Sequence, residues 1–431
     1  MRLLVTNSQS AQAYSIVRAL RPYATRIVAT MEGKHWWAAR TAHAANSRFV
    51  DRRYYVPRAD FDWGAGIIQK ENTEREEAYV QRILEICRLE QIDTIFPSYD
   101  PLVYVFAKNR DRFRDVVIPV PSYETLLTPL DKYRTIQAAQ RAGFPCPKTY
   151  VPERASDVDT ITRELGPPWV LKRRFTVGGE GMAFFTDAAA LREAIGKVRD
   201  PHSMPMIQEY IPGRERQHFY LVADRAGEIR SLFCPRIVRY GNRLYTDTTG
   251  AVESAVAHPL VPVVKKLVRE LGWSGGLTIP TKVDIRDGLP KLLEINPRLG
   301  LHLWFRTELG ANVPLMCLRI ARGEEVVEHQ YPVGRLLLAP FEDTLRLGLD
   351  ILDSLIYRTR TRVLGKPPID PDNPPQALTD LVRTYARDYF GSQTKVFSPY
   401  WKYLLDDPLP CLLWWYAYAG FSLRSLRTLG Q

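Results

Sequence analysis

Apolar residues along the first 120 positions come in two alternating patterns. Short runs at 3–6, 26–30, 93–97 and 116–120 read as strands. Between them, 11–20 and 74–89 carry apolar residues at helical spacing. Strands alternating with helices predict an open parallel sheet with right-handed crossovers. In such sheets ligands sit beyond the carboxyl ends of the strands. Ser98, Tyr99 and Asp100 follow a strand directly, so they either face a cleft or form an ordinary turn with Asp100 as a local cap.

The pattern then changes. Residues 131–142 read as a helix stopped by Gly143 and followed by Pro145 and Pro147. Strand 169–172 leads into a glycine cluster at 175–182, and strand 183–185 leaves it, as in a hairpin with a flexible loop. Residues 206–300 are largely strand-like, at 206–210, 219–223, 228–233, 277–285 and 291–295. The turn Arg286-Asp287-Gly288 joins the last two as a hairpin. Helical patterns at 259–271 and 314–322 flank that pair. Beyond 331 the chain reads as an amphipathic helix over 344–363, a Pro-rich linker over 366–375, and an aromatic tail.

Composition narrows the class. The chain has 431 residues, 45% apolar and 25% charged, which excludes a mostly disordered or fibrous chain. Lys plus Arg number 59 against 48 acidic residues, a net charge of +11. There is no long basic run, so an anionic small-molecule pocket is favoured over nucleic acid, which is not expected as a partner. The five cysteines are scattered, with no C-x-x-C, which argues for reduced intracellular thiols and a cytoplasmic protein. No apolar run reaches the length of a spanning helix. The tail aromatics leave three readings open: packing on the core, a homodimer interface, or peripheral membrane contact through 399–431.

The usual nucleotide signatures are missing. TNSQS stands after the first strand, where a G-x-G-x-x-G would be, and no G-x-x-x-x-G-K-[ST] occurs. Instead, four features follow one another. Lys132 opens a helix, and Lys172 ends a strand before Gly178-Gly179-Glu180-Gly181-Met182. Gln208-Glu209-Tyr210-Ile211 precedes Gly213 and Glu215, and Glu294-Ile295-Asn296-Pro297-Arg298 closes the last hairpin. Two lysines and a glycine loop suit a triphosphate. Glu294 and Asn296 alternate along the chain and share a face, where hard oxygen donors suit Mg²⁺. Burying Glu, Asn and Arg together is costly unless they pair or bind something.

In order and spacing these residues resemble the ATP-grasp superfamily, specifically the carbamoyl-phosphate-synthase-like carboxylate–amine ligases. The resemblance covers roughly residues 1–330. It implies a mixed α/β and α+β ATP-grasp fold in three parts: a Rossmann-like pre-ATP-grasp domain at 1–122, a small subdomain at 123–205 and a large subdomain at 206–330; the helical, aromatic extension at 331–431 lies beyond it. It also implies ATP between the two subdomains, with Mg²⁺ or Mn²⁺. Lys132 and Lys172 are expected as the phosphate and adenine-side lysines, Gly178, Gly179, Glu180, Gly181 and Met182 as the lid, Gln208, Glu209, Tyr210 and Ile211 at the adenine, and Glu215 on the ribose. Asp284, Glu294 and Asn296 are the expected metal ligands, Asp284 being the only carboxylate before the hairpin turn. Lys282 and Thr281 stand closer to where many members place that acid.

The implied reaction activates a carboxylate as an acyl phosphate and couples it to an amine, giving an amide, ADP and phosphate. Lys172 and Arg298 are the expected catalytic cations. Candidate substrate contacts are Asp100, Arg236, Arg239, and the turn at Thr248 that includes Thr249 and Gly250. His302 and Trp304 face the cleft or pack. The alternative is a degenerate nucleotide-binding partner protein without turnover.

Overall fold

The chain is described by a computed structural model over residues 1–33, 40–59, 71–176, 181–198, 204–213, 215–240, 249–255, 258–363, 365, 377–391 and 394–427. Its first sheet is built from strands β1 (Arg2–Val5), β2 (Arg26–Glu32), β3 (Arg52–Val56) and β4 (Thr94–Phe96). They lie parallel in the order β3-β2-β1-β4. Helix α1 (Ala11–Leu20) starts at Ser10, whose hydroxyl accepts from the Ala13 amide. Helix α2 (Glu74–Glu90) starts with a capping box between Thr73 and Glu76. Helix α3 (Asp100–Lys108) begins just past β4, which places Asp100 at the carboxyl edge of the sheet.

Two expectations change here. Strand β3, RRYYV, is an exposed edge strand whose polar start hid it from the hydrophobic pattern. The run at 116–120 forms only a bridge from Val117 to Thr94, because Pro119 and Pro121 remove the donors a longer ladder needs.

Helices α4 (Tyr123–Leu130) and α5 (Lys132–Ala142) lead into a four-stranded antiparallel sheet. Its strands are β5 (Thr149–Tyr150), β6 (Trp169–Lys172), β7 (Met182–Phe185) and β8 (Met206–Glu209), in the order β5-β8-β6-β7. Helices α6 (Val158–Leu165) and α7 (Ala188–Gly196) cover one face, and Val158, Trp169, Leu191 and Ile207 form a small core of their own.

The third sheet is larger. It comprises β9 (Arg216–Ala223), β10 (Ile229–Phe233), β11 (Pro235–Tyr240), β12 (Thr249–Ser254), β13 (Gly275–Val283), β14 (Pro290–Leu292), β15 (Leu336–Leu338) and β16 (Lys395–Phe397). The path runs β14-β13-β9-β11-β12-β15-β16, with β10 paired to β9. Helices α8 (Val261–Glu270), α9 (Leu303–Glu308) and α10 (Val313–Arg322) pack around it. Its inner residues Phe219, Leu221, Leu277 and Leu292 share one continuous core with Leu4, Val28 and Ile95 of the first sheet.

The last hundred residues are therefore not helical alone. Strands β15 and β16 extend the large sheet, and helices α11 (Pro340–Arg358), α12 (Leu378–Ala386), α13 (Pro399–Lys402) and α14 (Pro408–Arg427) pack back on the rest. Residues 366–375, expected as a linker, lie outside the described residues. Tyr400 stacks between Tyr14 (centroids 5.1 Å apart) and Trp414 (4.7 Å). Asp407, buried, accepts hydrogen bonds from the Tyr14 and Ser47 hydroxyls and the Arg48 amide. Core packing thus accounts for Tyr400, Trp414 and Tyr418, while Trp401, Leu405 and Tyr416 remain exposed. Among the described residues no helix is long and apolar enough to cross a membrane.

Candidate functional site

The site begins at Asp131. It caps α5, its Oδ1 accepting from the Tyr133 amide at 2.9 Å, and it is gripped by the Arg174 guanidinium (Nε to Oδ1 3.1 Å). That cap fixes Lys132, whose Nζ donates to the Thr176 carbonyl (2.5 Å) and Oγ1 (3.2 Å). Burial lowers the Lys132 pKa, opposed by the charges of Glu294, Asp100 and Asp131. Lys132 thus sits at the mouth of the glycine loop that leaves β6.

Lys172 closes β6 opposite Met206 and Met182. Its Nζ donates to Gln208 Oε1 at 2.6 Å, and Gln208 Nε2 donates to Thr149 Oγ1 at 2.9 Å. Desolvation pulls the Lys172 pKa from 10.5 down to about 8; Glu294 opposes that shift, and Lys132, Arg216 and Lys282 add to it. Gly178, Gly179 and Glu180 lie outside the described residues. Gly181 holds φ +68°, with the Arg173 side chain against it, and Met182 begins β7.

On the expected adenine side, Gln208 is buried and accepts the hydrogen bond from Lys172. Glu209 is engaged by the Lys148 amide (3.1 Å) and the Arg286 guanidinium (2.6 Å). Tyr210 packs edge-on to Phe184, and the Lys282 ammonium lies 4.8 Å from its ring centroid. Ile211 is buried beside it, and Glu215 is exposed near His258.

The acid end forms where the chain leaves β14. Thr278 and Asn296 exchange backbone hydrogen bonds (2.8 and 3.0 Å). Asn296 Nδ2 reaches Glu294 Oε1 at 3.3 Å, so the two side chains share a face. Asp100, Lys132, Thr176, Glu294, Asn296 and Pro297 line one pocket of about 320 Å³. Arg298 joins it through Asp100, Nε to Oδ2 at 2.7 Å.

Asp284 is placed differently from the expectation. Its carboxylate, almost fully buried, takes the Arg286 amide (3.0 Å) and the Arg286 Nε (2.9 Å) and Nη2 (2.6 Å). Those bonds hold its pKa below the ordinary carboxylate value. The Asp-x-Arg spacing in a tight turn lets the guanidinium fold back on its neighbour. No group of three His, Cys, Asp or Glu side chains able to hold a metal occurs among the described residues. The donors that share the pocket are Glu294 and Asn296, a hard oxygen pair that fits one Mg²⁺ completed by phosphate and water.

Two candidate substrate arginines are also placed elsewhere. Arg239 is buried and pairs with Asp343 (Nε to Oδ1 3.0 Å) and Asp388, fastening β11 to the extension. Burial alone would lower its pKa, but the hydrogen bonds and negative charges of Asp343 and Asp388 outweigh that and raise it. Arg236 faces Glu253 across the β11–β12 ladder as an exposed ion pair. Thr249 and Gly250 begin β12, and Thr248 lies outside the described residues. His302 and Trp304 line a second pocket.

Two cations escaped the sequence reading as site residues. Arg216 and Lys282 are direct cross-strand partners on β9 and β13, and both act electrostatically on Lys172. The signal was the odd Lys in TKVD of β13, at the place where an acid was sought.

Comparison with known proteins bears on the fold. Residues 130–301 match a family model described as an ATP-grasp domain. It is similar to the carbamoyl phosphate synthase large chain of Thermus thermophilus, 23% identical over 218 residues, which cover 48% of this chain and 21% of that one. It is also similar to the D-alanine–D-alanine ligase of an Azoarcus species, 28% identical over 208 residues, covering 45% of this chain and 67% of that one. The matching stretch thus spans about a fifth of the carbamoyl phosphate synthase. The fold resembles the biotin carboxylase domain of Hydrogenobacter thermophilus 2-oxoglutarate carboxylase, solved with MgADP, ADP and bicarbonate. The TM-score is 0.59 at 16% identity, over 78% of this chain and 73% of that one. The chain therefore has an ATP-grasp fold, with a Rossmann-like sheet before it and an extension after it.

Proposed function

We propose that the protein is an ATP-dependent carboxylate–amine ligase. The observation that carries this reading is the convergence of Lys132, Asp100, Glu294 and Asn296 on one pocket, with Lys172 and Arg298 tied to its edge. The similarity to a D-alanine–D-alanine ligase supports amide formation. The division into 1–122, 123–205, 206–330 and 331–431 belongs to the same proposal.

In this reading Lys132 and Lys172 hold the phosphates of ATP as point charges. Glu294 and Asn296 would hold Mg²⁺, which supplies charge neutralisation on the phosphates. A substrate carboxylate oxygen attacks the γ-phosphorus, and the bond to the ADP oxygen breaks. Arg298, oriented by Asp100, stabilises charge on the acyl phosphate. The amine nitrogen then attacks the acyl carbon, the C–O bond to phosphate breaks, and nitrogen loses a proton. Arg216 and Lys282 add to the positive field around Lys172. The enzyme's site is expected to work in the cytoplasm.

One observation favours a second reading. Asp284 is occupied by Arg286, so the acid end holds two protein donors rather than three. A nucleotide-binding partner protein without turnover would have such a site. Turnover of MgATP with pooled carboxylic acids and amines separates the two. ADP plus phosphate supports the ligase; AMP plus pyrophosphate contradicts acyl-phosphate chemistry; tight MgATP binding with no product supports the partner protein.

A further inference from the structure

A second pocket, of about 630 Å³, lies where the extension meets the rest of the chain. Trp304, Phe305, Tyr400, Trp414 and Tyr418 supply aromatic walls, and Ala11 of α1 supplies part of the floor. Helix α1 is capped by Ser10, whose hydroxyl donates to Ser98 at 2.8 Å, two residues before Asp100. Leu301 to Phe305 follow directly from Glu294–Arg298. The pocket is therefore continuous in chain with both walls of the nucleotide site.

Its polar groups are few and one-sided. Glu342, at the start of α11, is 5% exposed, and its Oε1 accepts from Trp414 Nε1 at 2.6 Å. Its Oε2 is buried and has no hydrogen-bond partner among the described residues, and neither has the buried Ser398 Oγ. No Lys or Arg lines the pocket among the described residues. Lys402 lies 5.7 Å from the Trp304 ring centroid, and its ammonium is paired with Glu308 at 2.6 Å. A buried carboxyl oxygen without a hydrogen-bond partner is costly. Aromatic faces attract cations, most strongly when desolvated.

We infer that this pocket binds an organic ammonium with an aromatic or similarly bulky apolar body, the ammonium on Glu342 Oε2 and Ser398 Oγ and the body against Trp304, Tyr400 and Trp414. Burial raises the Glu342 pKa in the ligand-free protein, as expected for a carboxyl awaiting a counter-charge. This binding does not depend on the ligase activity proposed above.

The test is calorimetric titration of the full chain with 2-phenylethylammonium, 2-phenylethanol and phenylacetate, three probes of similar shape. The expected result is at least tenfold tighter binding of the ammonium than of the alcohol, with the carboxylate weakest. Glu342→Gln should remove that preference and leave alcohol binding unchanged. Equal affinities for ammonium and alcohol in the wild type, or no ammonium binding, would overturn the inference without reliance on any variant. Binding is read without nucleotide, so it is distinguishable from the ligase reading.

Discussion

Arg298 and Asp100 form an ion pair, Nε to Oδ2 at 2.7 Å, that links the last strand exit of the ATP-grasp domain to the first helix beyond β4 of the N-terminal sheet. The pair spans 198 positions of sequence and ties Arg298 to Asp100, which lines the pocket. Asp100 is nearly buried, so its carboxylate fixes the guanidinium rather than competing with solvent for it. Asp100→Asn should lower kcat/KM for the carboxylate substrate by on the order of tenfold, because Arg298 loses its orientation. MgATP affinity should stay within about twofold, since Lys132 and Lys172 are untouched. A loss confined to MgATP affinity would contradict this positioning role. Steady-state kinetics with separate variation of acid and nucleotide decide.

Lys172 gives a pH signature. In the nucleotide-free protein its pKa is about 8, pulled down from 10.5 by desolvation. Lys172 is therefore charged below pH 8 and loses its proton as pH rises through 8. A bound polyanion favours the charged form, so ATP binding above pH 8 must take up a proton. ATP affinity should fall as pH rises above 8, approaching roughly tenfold per unit. Lys172→Met should bind ATP more weakly and lose this slope. Titrations at pH 8.5 in buffers of different ionisation enthalpy measure the proton uptake; none in the wild type would contradict the assignment.

Asp284→Asn separates a structural role from a metal role. Removing the charge weakens its bonds to Arg286 and should destabilise the hairpin by about 1–3 kcal/mol. The Mg²⁺ concentration for half-activation should stay within about twofold. A tenfold rise in that concentration, with little change in Tm, would return Asp284 to the metal.

How much of this was legible in the sequence differs residue by residue. Glu294-Ile-Asn296-Pro-Arg298 was legible because alternation puts Glu294 and Asn296 on one face whatever surrounds them. Lys132 was legible through its helix start, since Asp131 is a strong N-cap. The pairing of Asp284 with Arg286 was not legible because it acts through a turn whose geometry only the fold supplies. Arg239 was misread because its partners, Asp343 and Asp388, lie more than 100 positions away. Strands β15 and β16 are three residues each and become strands only by pairing with β12 and with each other. The aromatic tail showed its burden of apolar surface, but not the face of α1 on which it packs.

That packing has its own pH dependence. His43 is fully buried beneath Tyr400 and Trp414. Its Nδ1 donates to the Thr41 carbonyl (3.3 Å), and its Nε2 accepts from the Tyr400 hydroxyl (2.8 Å). Desolvation lowers its pKa from 6.5 to about 4. The unfolded chain therefore binds the proton more readily between these values. Stability is complete above pH 6.5 and declines as pH falls through the window to 4, by on the order of 3 kcal/mol at the limit. His43→Gln cannot titrate and should show a shallower loss. Urea midpoints at pH 7 and pH 4.5 check this; equal slopes for both proteins would contradict it.

The central claim is that this site makes an acyl phosphate. Carboxylic acids labelled with ¹⁸O in the carboxylate, supplied with MgATP and the amine pool, test it most directly. The account predicts that one ¹⁸O passes from the acid into the released phosphate, together with ADP, and that Glu294→Gln abolishes the transfer while the protein stays folded. Turnover that releases unlabelled phosphate, or ¹⁸O transfer that survives Glu294→Gln, would contradict it.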